Sequence, residues 1–412
     1  MKDDFEILLV EDDLADSLYP LNTLRHTGFL RTAFLTIKER WEIISGKKVL
    51  LDNSRRNALP HEKQKIDEKS LQMHSKNFIV INSRVIPSPS LLGCLNSAGN
   101  TSFVSKKGEW IAASINVEPE KSVSELLGVI RELPEKTLEI EVEMVRYPWD
   151  FIRRLEMSIQ EDIALLLVDR EFTRMEEGGA PLVKGNQVFV DRNVFIDETA
   201  ILNSKTGPVI IMEGTEIMEN VCIRGPAIIG PEAVLRVGTV IYGPFACGRH
   251  VKVGGEINSS MFYDYSNKVH EGFLGHSIIC SWCNLGAGTT VSNLKNTYGS
   301  IRAFSKTHNS LIDTGMQFLG CIIGDGTRTG IGTLLTSGSI VGSLCCLWGG
   351  DFFPKHIPPL TWGTPSHQQP YNIEDALVHL SRMMRRRNIE LSEEESKRIR
   401  DALNSIKFRS RI

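Results

Sequence analysis

The 412-residue sequence predicts an α/β domain, then a triangular parallel β-helix of hexapeptide repeats, then a short helical tail. Three observations carry this. Aliphatic residues recur every six positions, as Val190, Ile196 and Leu202, as the run Ile211 to Val253, as Ile279, Leu285 and Val291, and from Ile323 to Leu347. Two positions before each lies a mostly small residue, such as Thr215, Ala227, Ala233, Cys283, Thr289, Thr327 or Cys345. Neither a helical period nor strand alternation produces this count. Each six is one flat face of the prism: the aliphatic residue fills the interior and the small one lets the chain turn the corner.

In chain order, residues 1–168 read as the α/β domain. Phe5–Val10 and Phe78–Ile81 are short apolar runs suited to buried strands, and Leu30–Ser45 has helical spacing with a polar face. The Lys-rich stretch 53–76 reads as a surface excursion. Ser122, three residues before Glu125, is a capping-box signature for a helix to Leu133, and Pro148–Leu167 reads as a closing amphipathic helix. Polar residues 168–186 read as a linker, and 187–350 as the β-helix, ended by Pro354, Pro358 and Pro359. In the tail, 366–412, Asn372 caps one helix and Ser392 with Glu395 opens another.

A net charge of −3, from Lys+Arg 47 against Asp+Glu 50, argues against bulk attraction to nucleic acid or membranes. No stretch approaches the roughly 18 apolar residues of a membrane span. The acidic amino terminus lacks the features of a signal peptide, so a cytoplasmic location with eight reduced cysteines is expected. Cys280 and Cys283 form a lone C-x-x-C, which could be a zinc or redox pair, but Cys283 already belongs to the small inward register and no second pair exists. Arg382, Arg385, Arg386 and Arg387 read as a solvated helix face, with phosphate contact as the alternative.

Regular coils are scaffold, so chemistry is expected where the count breaks. The largest break is Glu256–Ser277, and it holds His270. Acyl transfer to an amine needs a base for the proton that leaves the attacking nitrogen, and imidazole, with an unperturbed pKa of roughly 6.5, suits that task. Asn293 offers an amide to orient base or amine. Arg249, Lys252 and Lys268 are fixed charges of the kind that hold a sugar phosphate. Gly286-Ala287-Gly288 allows close approach of a long cofactor.

At these residues a resemblance enters. NKVHEGFLG followed by NLGAGTTVSN resembles the acetyltransferase half of the bacterial bifunctional N-acetylglucosamine-1-phosphate uridylyltransferase/glucosamine-1-phosphate acetyltransferases. The whole chain resembles a variant bacterial group of sugar nucleotidyltransferases, through YPLNTLRHTGFLRTAFLTIKERWE and PWDFIRRLEMSIQED. The resemblance implies a nucleotidyltransferase-like α/β domain and a left-handed β-helix assembled as a homotrimer. It implies acetyl-CoA as co-substrate and glucosamine 1-phosphate as acceptor, in nucleotide-sugar supply to the cell envelope. His270 matches the catalytic base and Asn293 its amide partner; Lys252, Lys268, Phe273 and Asn284 fall at substrate positions. Ala287, Asn293, Leu294 and Ser339 fall along the cofactor path. The amino-terminal half departs from the pattern: LLVEDDLADSLYPLNTLR has no glycine before Gly28, and Arg25-His26 stands where the variant group has Arg-Pro. Asp12, Asp13 and Asp16 are the residues available for Mg²⁺ if that domain transfers nucleotides.

Three rival readings remain open on these residues. The chain is a sugar-1-phosphate nucleotidyltransferase making UDP-N-acetylglucosamine, alone or with acetyl transfer. It is a zinc lyase of the γ-carbonic-anhydrase kind, which needs three histidines meeting at a subunit interface, with His250, His270 and His276 as the local candidates. Or it is a non-catalytic scaffold.

Overall fold

The computed structural model describes residues 5–52, 59, 77–96, 98–116 and 123–406. Its amino-terminal part is a six-stranded mixed sheet in the order β2-β1-β3-β5-β4-β6. These strands are β1 (Glu6–Val10), β2 (Val49–Leu51), β3 (Asn77–Asn82), β4 (Thr101–Val104), β5 (Trp110–Asn116) and β6 (Glu135–Thr137). β1 runs parallel to β2 and β3, whereas β5 is antiparallel to β3 and β4. Helices α1 (Ile37–Ser45), α2 (Pro89–Asn96) and α3 (Val123–Arg131) pack against it, and α4 (Asp150–Arg153) and α5 (Leu155–Asp169) follow, α5 packing on α1. The Lys-rich stretch, apart from Leu59, and the expected cap Ser122 lie outside the described residues.

Two helix starts differ from expectation. α1 begins at Ile37 rather than Leu30, because Thr36 and Glu39 form a capping box and 30–36 make a turn closed by an Arg31–Thr36 bridge. The helix expected over Pro148–Leu167 is two pieces joined at Arg154, whose φ of −102° and ψ of 6° interrupt the helix.

The second part is a left-handed-β-helix-like solenoid of about 10 turns. Strand pairing in it runs from Leu182–Lys184 on Ile201–Asn203 to Cys346–Leu347 on Trp362–Gly363. The aliphatic register lines the interior: Ile211, Ile229, Leu235, Ile241, Val253, Ile279, Leu285, Val291, Ile323, Leu335 and Leu347 are all buried in one core. Glu256–Ser277 is no break. It is one complete coil, with Lys252 against Asn267, Glu256 against Phe273 and Met261 against Ile278, and only its corners are shortened. The true excursion is 294–319, closed by a Leu294–Phe318 bridge and carrying an antiparallel hairpin, Arg302–Ser305 with Ser310–Asp313.

One prism face explains how the two parts join. Its strands have an outward residue that is itself apolar: Ile210, Ile228, Ala246, Met261, Ile278, Ile322 and Ile340. These pack in a single core with Leu155, Ile159 and Ile163 of α5 and with Trp41 of α1. Polar ties reinforce the seam. Arg25 pairs with Asp325 at 2.5 Å, both fully buried, and lies over the Tyr263 ring at 4.8 Å. Arg31 reaches Asp264 at 2.8 Å, and Lys306 of the hairpin reaches Asp16 at 2.7 Å.

The tail forms α6 (Ile373–Arg385) and α7 (Glu393–Asn404), capped as expected by Asn372 and by the Ser392–Glu395 box. α6 sits on one prism corner. That corner puts successive residues in the left-handed region, among them His250, Tyr265, Trp282 and Leu344, with φ of 55°, 62°, 60° and 55°. The Tyr265 and Trp282 rings stack at 4.4 Å, and with Leu344 they receive Ala376, Leu377 and Leu380.

Candidate functional site

The face beside that corner carries a ladder of side chains, one from each turn. Lys252 pairs with Asn267, Asn267 with Asn284, Asn284 with Arg328, and Arg328 with Cys346. Parallel pairing in register forces these side chains to project from the same face, roughly 4.8 Å apart. Between the ladder and α6 opens a cavity of about 670 Å³. His270, at the corner just after Asn267–Lys268, lines it, as do Lys252, Asn284, Ala287, Arg328, Arg386 and Arg387. His270 is exposed and presents its imidazole to solvent at the cavity edge.

The residues singled out from the sequence fall into three groups. His270, Lys252, Asn284 and Ala287 share the cavity. Phe273, Asn293 and Leu294 lie round the edge, on the next face. There the Phe273 ring and the Asn293 amide crowd Gly275, where an added Cβ would stand 2.6 Å and 2.5 Å from them. Asn293 Nδ2 lies 2.9 Å from His276 Nδ1, so its histidine partner is His276 and not His270. The His276 ring stacks on Phe318 at 5.2 Å, and burial pushes its pKa down to about 4. The third group, Lys268 and Ser339, lies inside the prism.

That third group corrects the expectation. Lys268 occupies the inward aliphatic position opposite Val253 and is 1% exposed. Its ammonium donates to the carbonyls of His270 at 2.9 Å and Gly254 at 3.2 Å, and burial pulls its pKa down to about 8. It braces the corner that carries His270 and touches no ligand space. Ser339, fully buried, donates to the Thr336 carbonyl at 2.8 Å. Arg249 leans on Glu232 at 3.2 Å. Packing also requires Gly286, which lines the cavity: a Cβ there would stand 2.7 Å from the Gly330 backbone of the next turn.

The sequence reading missed Arg328, Ile331 and Met383 in this cavity. Arg328 was legible as the outward residue of its hexapeptide on the Lys252 face, once that face is known to matter. Within one chain the three histidines of the zinc reading do not meet: His250 pairs with Glu232 at 3.1 Å and His276 with Asn293, away from His270's cavity. Among the described residues no group of His, Cys, Asp and Glu is arranged to hold a metal. Cys280 and Cys283 are fully buried thiols whose pKa burial raises, the opposite of a metal-binding or redox cysteine.

The acidic turn of the first domain does not fit a metal either. Asp12 accepts Nε and Nη2 of Arg84 at 2.9 Å and 2.5 Å and Nδ2 of Asn82 at 2.9 Å. Burial raises its pKa, but the Arg84 hydrogen bonds and charge outweigh this and leave the carboxyl below its usual range. Asp16 is held by Lys306. Gly28 serves packing, since a Cβ there would meet Leu51 at 2.7 Å. Among the described residues no helix is long and apolar enough to cross a membrane.

Comparison with known proteins agrees with this two-part layout. Residues 7–171 match the family model described as sugar nucleotidyl transferase. A bifunctional sugar-1-phosphate nucleotidylyltransferase/acetyltransferase of Sulfurisphaera tokodaii is 28% identical over 50% of this chain and 54% of its own. The bifunctional protein GlmU of Baumannia cicadellinicola is 29% identical over 47% of this chain and 42% of its own. The chain thus spans about half the length of these curated relatives. A solved UDP-N-acetylglucosamine acyltransferase overlaps 52% of this chain and 85% of its own at 12% identity, with a TM-score of 0.21, too low to bear on activity. By sequence, then, the chain resembles the sugar nucleotidyl transferases over residues 7–171 and, over about half its length, the bifunctional nucleotidylyltransferase/acetyltransferases.

Proposed function

We propose that the chain is an acyltransferase that moves an acetyl group from acetyl-CoA to the amine of an amino-sugar phosphate, glucosamine 1-phosphate. The observation that carries this is the cavity itself: an exposed imidazole, His270, shares it with the Asn284 amide and the Lys252 cation. In this reading His270 takes the proton from the attacking nitrogen, Asn284 holds a sugar hydroxyl and Lys252 meets the phosphate. Ala287 lies on the donor side. Phe273, Asn293 and Leu294 sit on the adjacent face. They serve the same reaction when a second copy presents that face to the first copy's cavity, in a homotrimer. The working division is residues 1–168, 187–350 and 366–412, with the middle part carrying the chemistry in the cytoplasm.

The test is thiol release from acetyl-CoA with glucosamine 1-phosphate, comparing wild type with His270→Ala. Loss of a general base lowers the rate on the order of 10²–10⁴-fold. A wild type that is folded and trimeric yet silent removes this acceptor. The second reading, nucleotidyl transfer, is favoured by the family match over residues 7–171 and opposed by the engagement of Asp12 with Arg84. UTP-dependent pyrophosphate release with N-acetylglucosamine 1-phosphate decides it.

A further inference from the structure

The cavity holds more positive charge than one sugar-phosphate contact needs. Lys252 and Arg328 come from the ladder, Arg382 from α6, and Arg386 and Arg387 from its C-cap and the residue after it; no aspartate or glutamate lines the cavity among the described residues. Arginines near a helix carboxyl end are favoured by the helix dipole alone, so their presence on α6 needs no ligand. Their placement is another matter. Arg387 donates to Asn267 Oδ1 at 2.9 Å, which fixes its guanidinium against the strand that leads to His270. Arg328 donates to the Tyr371 hydroxyl at 2.9 Å, yet its buried Nε has no hydrogen-bond partner among the described residues. Like charges crowd one another: burial first, and then Arg387 and Arg386 among its neighbours, lower the pKa of Lys252. Burial and then Arg386 likewise lower that of Arg387. Cations gathered in a concave site without carboxylates are relieved by a multivalent anion, and guanidinium forks match phosphate oxygens.

We propose that α6 folds back over the solenoid to complete a phosphate-binding site, in which Arg386 and Arg387 join Lys252 and Arg328 around the phosphate of the acceptor. This rests on reading the cavity as the acceptor site. The acceptor is favoured over the phosphates of the acyl donor because Arg387 is tied to Asn267, three residues before the base. An anion held there lies next to the nitrogen that loses its proton. Asn267 occupies the rung between Lys252 and Asn284 without a charge of its own, and Arg387 supplies that rung with one in cis. The tail is thereby a specificity element for a phosphorylated substrate.

The experiment uses the full chain and two readouts. Calorimetric titration with inorganic phosphate compares wild type, R386A/R387A, R386K/R387K and the remote surface variant R192A. The expected result is binding in the wild type and in R192A, weakened at least tenfold in R386A/R387A and partly restored by the lysines. Equal binding by wild type and R386A/R387A, or no binding by the wild type, overturns the site. In the acetyl-transfer assay, R386A/R387A raises KM for glucosamine 1-phosphate on the order of tenfold or more and leaves KM for acetyl-CoA unchanged. A rise confined to acetyl-CoA overturns the assignment to the acceptor. Phosphate binding that needs both arginines, in a protein with no acetyl transfer, keeps the phosphate site and rejects the acetyltransferase reading instead. Arg386 is the exposed C-cap of α6 and Arg387 the half-buried residue after it, so R386K/R387K and an unchanged melting temperature separate loss of the site from loss of the fold.

Discussion

Asn293 donates its side-chain amide to Nδ1 of His276 at 2.9 Å, on the face next to the one that holds His270. Burial keeps His276 neutral, with a pKa near 4 against roughly 6.5 in an unfolded chain. Its folded pKa is depressed, so its contribution to stability is present above pH 6.5 and is lost as the pH falls toward 4. His276→Asn removes that dependence. Between pH 7.5 and 5 the wild type loses about 2 kcal/mol more than the variant, read from urea denaturation at the two pH values.

Lys268 shows the same sign of pH dependence, in a higher pH window. Its folded pKa of about 8 lies below the unfolded value of roughly 10.4, so the wild type gains stability as the pH rises from 8 to 10.5. Lys268→Met abolishes that gain and stabilises the protein at pH 7 by up to about 3 kcal/mol, since no charge has to be buried. It also releases the His270 carbonyl. We expect kcat to fall on the order of tenfold with KM unchanged, because the base is no longer held in place. Equal kcat in wild type and variant removes Lys268 from any positioning role.

The Arg25–Asp325 pair joins the first domain to the solenoid with both side chains fully buried. Arg25→Ala leaves a carboxylate without its cation and costs about 3–5 kcal/mol in chemical denaturation. Replacing both partners by apolar residues of similar volume recovers most of that loss.

The outward aliphatic face is tested by Ile278, which lies in the shared core. Ile278→Ala lowers stability by about 2–5 kcal/mol, whereas Val237→Ala, at a site 59% exposed, stays within about 0.5 kcal/mol. A near-neutral Ile278→Ala in thermal melts means that the two parts do not share a core.

Much of the solenoid was legible because its interior repeats a local rule: one aliphatic and one small residue every six, whatever lies outside. The caps at Asn372 and Ser392 were equally local. The coil 256–277 was misread because corner shortening shifts the count without disturbing parallel pairing, which depends on rung alignment and not on sequence interval. Lys268 was misread for a related reason. A lysine two residues before a histidine looks solvent-bound, but its place opposite Val253 turns it inward.

By itself the sequence determined the prism, the helical tail and the identity of His270 as a base candidate, since these follow from short-range periodicity and side-chain chemistry. Only the tertiary structure decided which residues meet. Lys252, Asn284 and Arg328 lie 32 and 44 residues apart in sequence, yet stand on one face, Lys252 two rungs from Asn284 and Asn284 one rung from Arg328. Arg387 reaches Asn267 across 120 residues because α6 packs on a corner built of Tyr265 and Trp282. Such proximity depends on strand register and on where a distant helix finds an apolar corner, and neither is written in the spacing of any one segment.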